Sequence, residues 1–259
     1  MKMHQNSPQK ILIDEGGFNG TATLAALDPI FEFDKIFTIE PSARLVSKIK
    51  NKISDPRVTV LKCALSNKTA TSSFFNSGNP GGSVYQQAPA FGSEGVGNQS
   101  IVQLVDASLF VDIFINNNDL VFMKLNCEGS EVDILESLLL SGKISRIKNM
   151  LIDLDALKIE SEVDRALKIM ASVRQSGASF FTPEEVQFNM VTNYGGIHNW
   201  LQRAGAESKK SILLRKIKSI LYNINIFLNH PDCNGYHKML LLRKFPFLKV
   251  LAKSNRRKE

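Results

Sequence analysis

The chain holds three cysteines, Cys63, Cys127 and Cys233, an odd number with no CxxC pair. This excludes a disulfide framework, a zinc finger and a CxxC redox motif, and it points to a reducing compartment. No apolar run approaches the roughly 18 residues that a membrane-spanning helix needs. The N-terminal MKMHQNSPQK also lacks the apolar stretch of a signal peptide, so a cytoplasmic protein is the expectation. Glycine (16) and proline (9) are too few for a collagenous or low-complexity chain, and nothing repeats internally. What is present, 259 residues of which 43% are hydrophobic and 22% charged, suffices for one sizeable core.

Acidic residues are scarce at one end only. Residues 200–259 hold 14 Lys/Arg against 3 Asp/Glu, whereas the first 199 hold 18 against 22. A basic end of this kind meets something anionic, such as a membrane surface, nucleic acid or a phosphorylated substrate, or it is simply a solvated helix face. Within it, Leu213, Ile217, Ile220, Leu221, Ile224, Phe227 and Leu228 form one stripe over residues 208–229, with Lys209, Lys210, Arg215, Lys216 and Lys218 largely off it. Such a basic amphipathic helix either rests on an anionic membrane surface or buries its stripe against a sheet; the width of the stripe favours packing.

Upstream, residues 11–13, 36–39, 58–61, 120–125, 150–154 and 179–181 read as strands. Residues 21–27, 43–53, 106–115, 130–140 and 160–176 read as the helices between them. The alternation predicts an α/β fold over residues 1–259: a doubly wound, mostly parallel, seven-stranded Rossmann-like sheet with helices on both faces. Its last strand, at 236–242, would return antiparallel at an edge. Residues 76–100, broken by Gly, Asn and Pro, read as a long mobile loop.

The first strand runs Ile11-Leu12-Ile13-Asp14-Glu15 into Gly16-Gly17-Phe18-Asn19-Gly20 and a helix. A strand, a glycine turn and a helix build a nucleotide pocket, because glycine lets a ligand approach the backbone. Charge then selects the nucleotide. Two carboxylates directly before the glycines oppose a pyrophosphate on the helix N-terminus and suit a cationic ligand such as S-adenosylmethionine. Glu40, ending the second strand before Pro41, is placed to accept hydrogen bonds from ribose hydroxyls, or else is a surface acid.

A third segment, Lys124-Leu125-Asn126-Cys127-Glu128-Gly129-Ser130-Glu131, repeats the strand-to-helix passage at the same carboxyl edge. Together, Asp-x-Gly-x-x-x-Gly, Glu-Pro, Ala64-Leu65-Ser66 and this segment resemble the FkbM-type S-adenosylmethionine-dependent methyltransferases, a class I Rossmann-like group, over residues 10–155. The resemblance implies a cofactor-binding core in which Asp14, Gly16, Gly17 and Gly20 form the methionine-side loop. It also implies that Glu40 and Pro41 meet the ribose and that Ala64 and Leu65 flank the adenine. Asn126 stands where the family usually has Asp, and Phe18 where it has a small polar residue. An Asn still bonds an amino group through its carbonyl oxygen, but it is no base. Ser83 falls where the family has a serine after a small-residue loop, here a candidate lid.

Methyl transfer to a hydroxyl is an in-line displacement in which alignment dominates. Where a base is used, Glu128 is the first candidate and Glu131 the second; the alternative is that both merely favour the positive end of the following helix. Asp153 and Asp155, closing the next strand, are placed to hold the acceptor's hydroxyls or to form a solvated turn. No metal is expected, since His230, Asp232, Cys233 and His237 match no zinc spacing. His198 and Trp200 either enter a substrate pocket or anchor a core. The activity this implies is O-methylation of a small hydroxylated acceptor, such as a sugar, a glycan or a secondary metabolite. Two alternatives are weighed beside it. Methylation of nucleic acid is disfavoured because the basic segment has no interleaved aromatics. A non-catalytic binding protein is the reading for which Phe18 and Asn126 speak.

Overall fold

The computed structural model describes residues 7–88, 98–188, 193–214 and 216–217. The chain divides into two units, 1–207 and 208–259. In the first unit the elements follow in the order β1 (Lys10–Glu15), α1 (Thr21–Ala26), β2 (Lys35–Ile39), α2 (Ala43–Lys52), β3 (Val58–Leu61), β4 (Ala64–Ser66), β5 (Ala70–Phe74) and β6 (Ser100–Asp106). They continue with α3 (Ala107–Phe114), β7 (Leu120–Leu125), α4 (Glu131–Leu140), β8 (Ile147–Ile152), α5 (Val163–Gln175), β9 (Phe180–Phe181), α6 (Pro183–Val186) and α7 (Asn193–Arg203).

Six strands form the central sheet in the order β3-β2-β1-β7-β8-β9, every neighbouring pair parallel. The order reverses between β1 and β7, which makes their carboxyl ends the topological switch point. Alternation along the strands explains the two cores. Ile11 and Ile13 of β1 point into a cluster with Phe110 of α3, Leu135 of α4 and Val173 of α5. Leu12 points the other way, against Ala22 and Ala25 of α1 and Ile197 and Trp200 of α7. Helices therefore cover both faces of the sheet, as expected.

Six strands of the central sheet are described; the antiparallel last strand expected at 236–242 lies outside the described residues. Three other features depart from the sequence reading. A second, three-stranded sheet in the order β4-β6-β5 was not foreseen; its strands are short or Ser/Thr-rich and acquire order only by pairing. The segment 76–88 is not an open loop, because Phe75 and Ser83 exchange backbone hydrogen bonds of 2.8 and 3.1 Å; residues 89–97 lie outside the described residues. Finally, α7 forms across Gly195-Gly196 despite the poor helix propensity of glycine. Gly196 is required there for approach: a Cβ would stand 2.5 Å from the Phe188 Cα.

Trp200 on α7 is fully buried, and its Nε1 donates to Asn149 Oδ1 at 2.6 Å. It anchors a core, as the second of its two sequence readings had it. His198 contacts Asp28 at 3.2 Å and the edge of Phe31. Neither residue lines the cavity described below. In the second unit, a helical turn begins at Ser208, whose Oγ accepts from Ser211 N at 3.1 Å; the predicted amphipathic helix beyond 217 lies outside the described residues. Among the described residues, no helix is long and apolar enough to cross a membrane, and no group of His, Cys, Asp and Glu has the arrangement of a metal site.

Candidate functional site

A cavity of about 440 Å³ opens at the switch point. Its floor is the glycine turn after β1, where Gly16 N and Gly17 N both donate to Ile39 O, at 3.1 and 2.9 Å. Gly16 sits at φ +76°, and a Cβ there would lie 1.8 Å from the Asn126 carbonyl oxygen, so the turn packs backbone on backbone against the end of β7. Gly16, Gly17, Glu40, Pro41, Ala64, Asn126 and Glu128 line the cavity, as does Phe18. Asp14, Gly20, Leu65 and Glu131 do not appear in that lining.

The four residues outside the lining have other partners. Asp14 is fully buried; its Oδ2 accepts from Thr23 Oγ1 at 2.9 Å and its Oδ1 lies 3.1 Å from Lys124 Nζ. Gly20 adopts φ +78° before α1. Leu65 contributes its backbone N–H, which donates to Glu15 Oε1 at 3.0 Å. Glu131 turns back on its own loop, accepting Cys127 N at 2.7 Å and Gly129 N at 2.9 Å. Those two bonds hold the loop ahead of α4 and leave Glu128 as the one of the two candidate bases that reaches the cavity.

Glu40 is held by two backbone donors, Phe18 N on Oε2 and Ser42 N on Oε1, both at 2.9 Å. Each carboxylate oxygen keeps a further lone pair. Burial pushes its pKa up to about 7, against the pull of those two N–H groups. Phe18 takes φ +45°, an uncommon conformation for a bulky side chain, and leaves its ring part-exposed at the cavity. Asn126 Nδ2 donates to Asp153 Oδ2 at 2.6 Å, which fixes the amide so that its own Oδ1 stays available as an acceptor. Burial and Asp155 raise the Asp153 pKa to about 6.

Glu128 stands at φ +55°, its carbonyl accepting from Ser83 Oγ at 2.6 Å. Burial and the neighbouring Asp155 raise its pKa to about 7. Residues 78–84 form a cavity wall that this Ser83 contact ties down. Next to it, Tyr85 OH donates to Asp133 Oδ2 at 3.2 Å, and Arg165 pairs with Asp133, Glu136 and Glu162 at 2.6, 2.7 and 3.1 Å. Burial raises the Cys127 thiol pKa well above its ordinary range, which keeps it protonated and a poor nucleophile.

The raised Glu128 pKa has a consequence for stability. An acid whose folded-state pKa lies above its ordinary 4.5 contributes stability that is complete below about 4.5 and lost as pH rises through about 7. Replacing Glu128 by Gln is therefore expected to raise Tm relative to wild type, by a margin that opens between these two pH values and then levels off. Thermal melts of both proteins across that range check it; a margin independent of pH would contradict the assignment.

Two further residues, Glu15 and Lys124, belong to the site. Glu15, one residue after Asp14, is 1% exposed, with Oε2 lacking a hydrogen-bond partner, and burial pushes its pKa well above the carboxylate range. Lys124 opens the third sequence segment, where it reads either as a partner of Glu128 or Glu131 or as a strand-end residue. The available signal was a lysine inside the apolar strand Leu120–Leu125.

Strand order, glycine turn and cavity position together define a Rossmann-like α/β architecture. No family model matches the chain, and no curated protein matches it. Among solved structures the chain is similar to a methyltransferase FkbM from Methylobacillus flagellatus KT, with 20% sequence identity and a TM-score of 0.34. The match covers 52% of this chain and 30% of that one, so this chain spans less than a third of that protein's length.

Proposed function

We propose that the protein is an S-adenosylmethionine-dependent O-methyltransferase that acts on a small hydroxylated acceptor such as a sugar. The observation that carries the reading is the acid-rich lining around a glycine turn. Glu15, Glu40, Glu128, Asp153, Asp155 and Glu184 face the cavity against Lys124 and Lys158. As these acids ionise, Asp153 near pH 6 and Glu40 and Glu128 near pH 7, such a wall repels a pyrophosphate and attracts a sulfonium and an ammonium.

The residues present fit that donor. The Gly16–Gly17 turn leaves its approach open, and Glu40 offers lone pairs on two pre-oriented oxygens to a ribose. Ala64 bounds the adenine side, and Asn126 Oδ1 accepts from an amino group. When bound, S-adenosylmethionine supplies a methyl group on a positively charged sulfur. Glu128, with a pKa of about 7, is suited to accept the proton of an acceptor hydroxyl near neutral pH. Asp153 and Asp155 provide hydrogen-bond acceptors for the remaining hydroxyls.

Isothermal titration with S-adenosylmethionine, S-adenosylhomocysteine and NAD tests the reading. Binding of the two sulfur nucleotides and not of NAD is expected. Binding of NAD, or of none of the three, would overturn it, and nucleotide binding without turnover on any hydroxylated acceptor would favour the non-catalytic alternative.

A further inference from the structure

Lys124 is 5% exposed, and no other Lys or Arg among the described residues is buried. It stands opposite Asp14 in the β1–β7 ladder, so the two side chains share a face of the sheet. Its Nζ donates to Glu15 O at 3.0 Å and to Gly16 O at 2.8 Å and lies 3.1 Å from Asp14 Oδ1. Of the three N–H groups of the ammonium, two meet the carbonyls of the glycine turn. Asp14 Oδ1 is its ion-pair partner and is itself buried without a hydrogen bond, and the side chain borders the cavity.

We propose that Lys124 is the positioning residue of this site, fixing both carbonyls of the glycine turn and supplying the buried positive charge against which the surrounding carboxylates ionise. The proposal rests on the nucleotide reading above and assigns this residue a role within it. Without the ammonium, Gly16 O loses its donor and Glu15 O keeps only Asn126 N, at 3.4 Å, at the point where the turn meets the end of β7. The carboxylates concerned come from four strand ends: Asp14 and Glu15 on β1, Glu40 after β2, Glu128 after β7 and Asp153 after β8, with Asp155 and Lys158 beyond. Lys124 pulls Glu15, Glu40, Glu128 and Asp153 toward the ionised form. A neutral residue at 124 would therefore leave these acids more protonated at neutral pH, in a pocket whose ligand is cationic.

Lys124→Met and Lys124→Arg separate charge from geometry. The first readout needs no nucleotide: the Glu40 carboxyl, followed by carbon NMR, is expected to titrate near 7 in wild type. Its midpoint is expected to rise in Lys124→Met and to stay in place in Lys124→Arg. The second is affinity for S-adenosylhomocysteine by calorimetry, expected to fall about tenfold or more in both variants, the scale of a lost charge-assisted hydrogen bond. An unmoved Glu40 midpoint in folded Lys124→Met overturns the electrostatic role, and undiminished affinity in Lys124→Arg overturns the positioning role. Should Lys124→Met not fold, Lys124→Arg alone decides the latter. If wild type binds no nucleotide, the methyltransferase reading fails while the Glu40 titration still judges Lys124.

Discussion

Alanine at position 16 will destabilise the fold by about 2–5 kcal/mol, combining a left-handed backbone cost of about 1–2 kcal/mol with an overpacking cost of about 1–3 kcal/mol. The overlap is with main chain, not with a side chain that can swing away: the new Cβ would lie 1.8 Å from Asn126 O. Relief requires the ends of β1 and β7 to separate, and those strands are paired from Lys10 to Glu15. Urea unfolding of Gly16→Ala against wild type measures the loss. A shift below about 1 kcal/mol, the ordinary spread for a tolerated substitution, would mean that the turn is not held as described.

The second large effect is on binding. Glu40→Ala is expected to weaken affinity for S-adenosylmethionine by about 1.5–3 kcal/mol, the range for hydrogen bonds to a charged group. The substitution also leaves Phe18 N and Ser42 N without their present acceptor, so a circular dichroism spectrum and melt should accompany the titration. In Glu40→Gln the side-chain NH₂ must face one of those two N–H groups, and an intermediate loss is expected. Unchanged affinity in a folded Glu40→Ala protein would remove Glu40 from the ribose contact.

Much of this architecture is legible in the sequence. Ile11, Leu12 and Ile13 read as a strand because they form an apolar run before a glycine turn, and their alternation into two cores follows from the pleat. Asp106 read as the start of a helix and is the N-cap of α3, its side chain accepting from Leu109 N. What escaped the sequence depends on partners distant in the chain. Lys124 meets Asp14 only because β7 pairs with β1, and that register is not visible in either segment alone. Glu131 has the same composition signal as Glu128; the direction of its side chain is decided by the left-handed backbone at 128 and 129. The small sheet escaped because Ala-Thr-Ser-Ser-Phe in β5 has no apolar alternation to display.

The chain has one tryptophan. Because Trp200 of α7 is buried, bonded to Asn149 of β8, and takes no part in the cavity lining, its fluorescence is expected to report global unfolding, with blue-shifted emission in the native protein. Nucleotide titrations followed by intrinsic emission should be silent. A tryptophan introduced at Phe18, whose ring already stands part-exposed at the cavity mouth, would supply the optical signal that the native chain lacks.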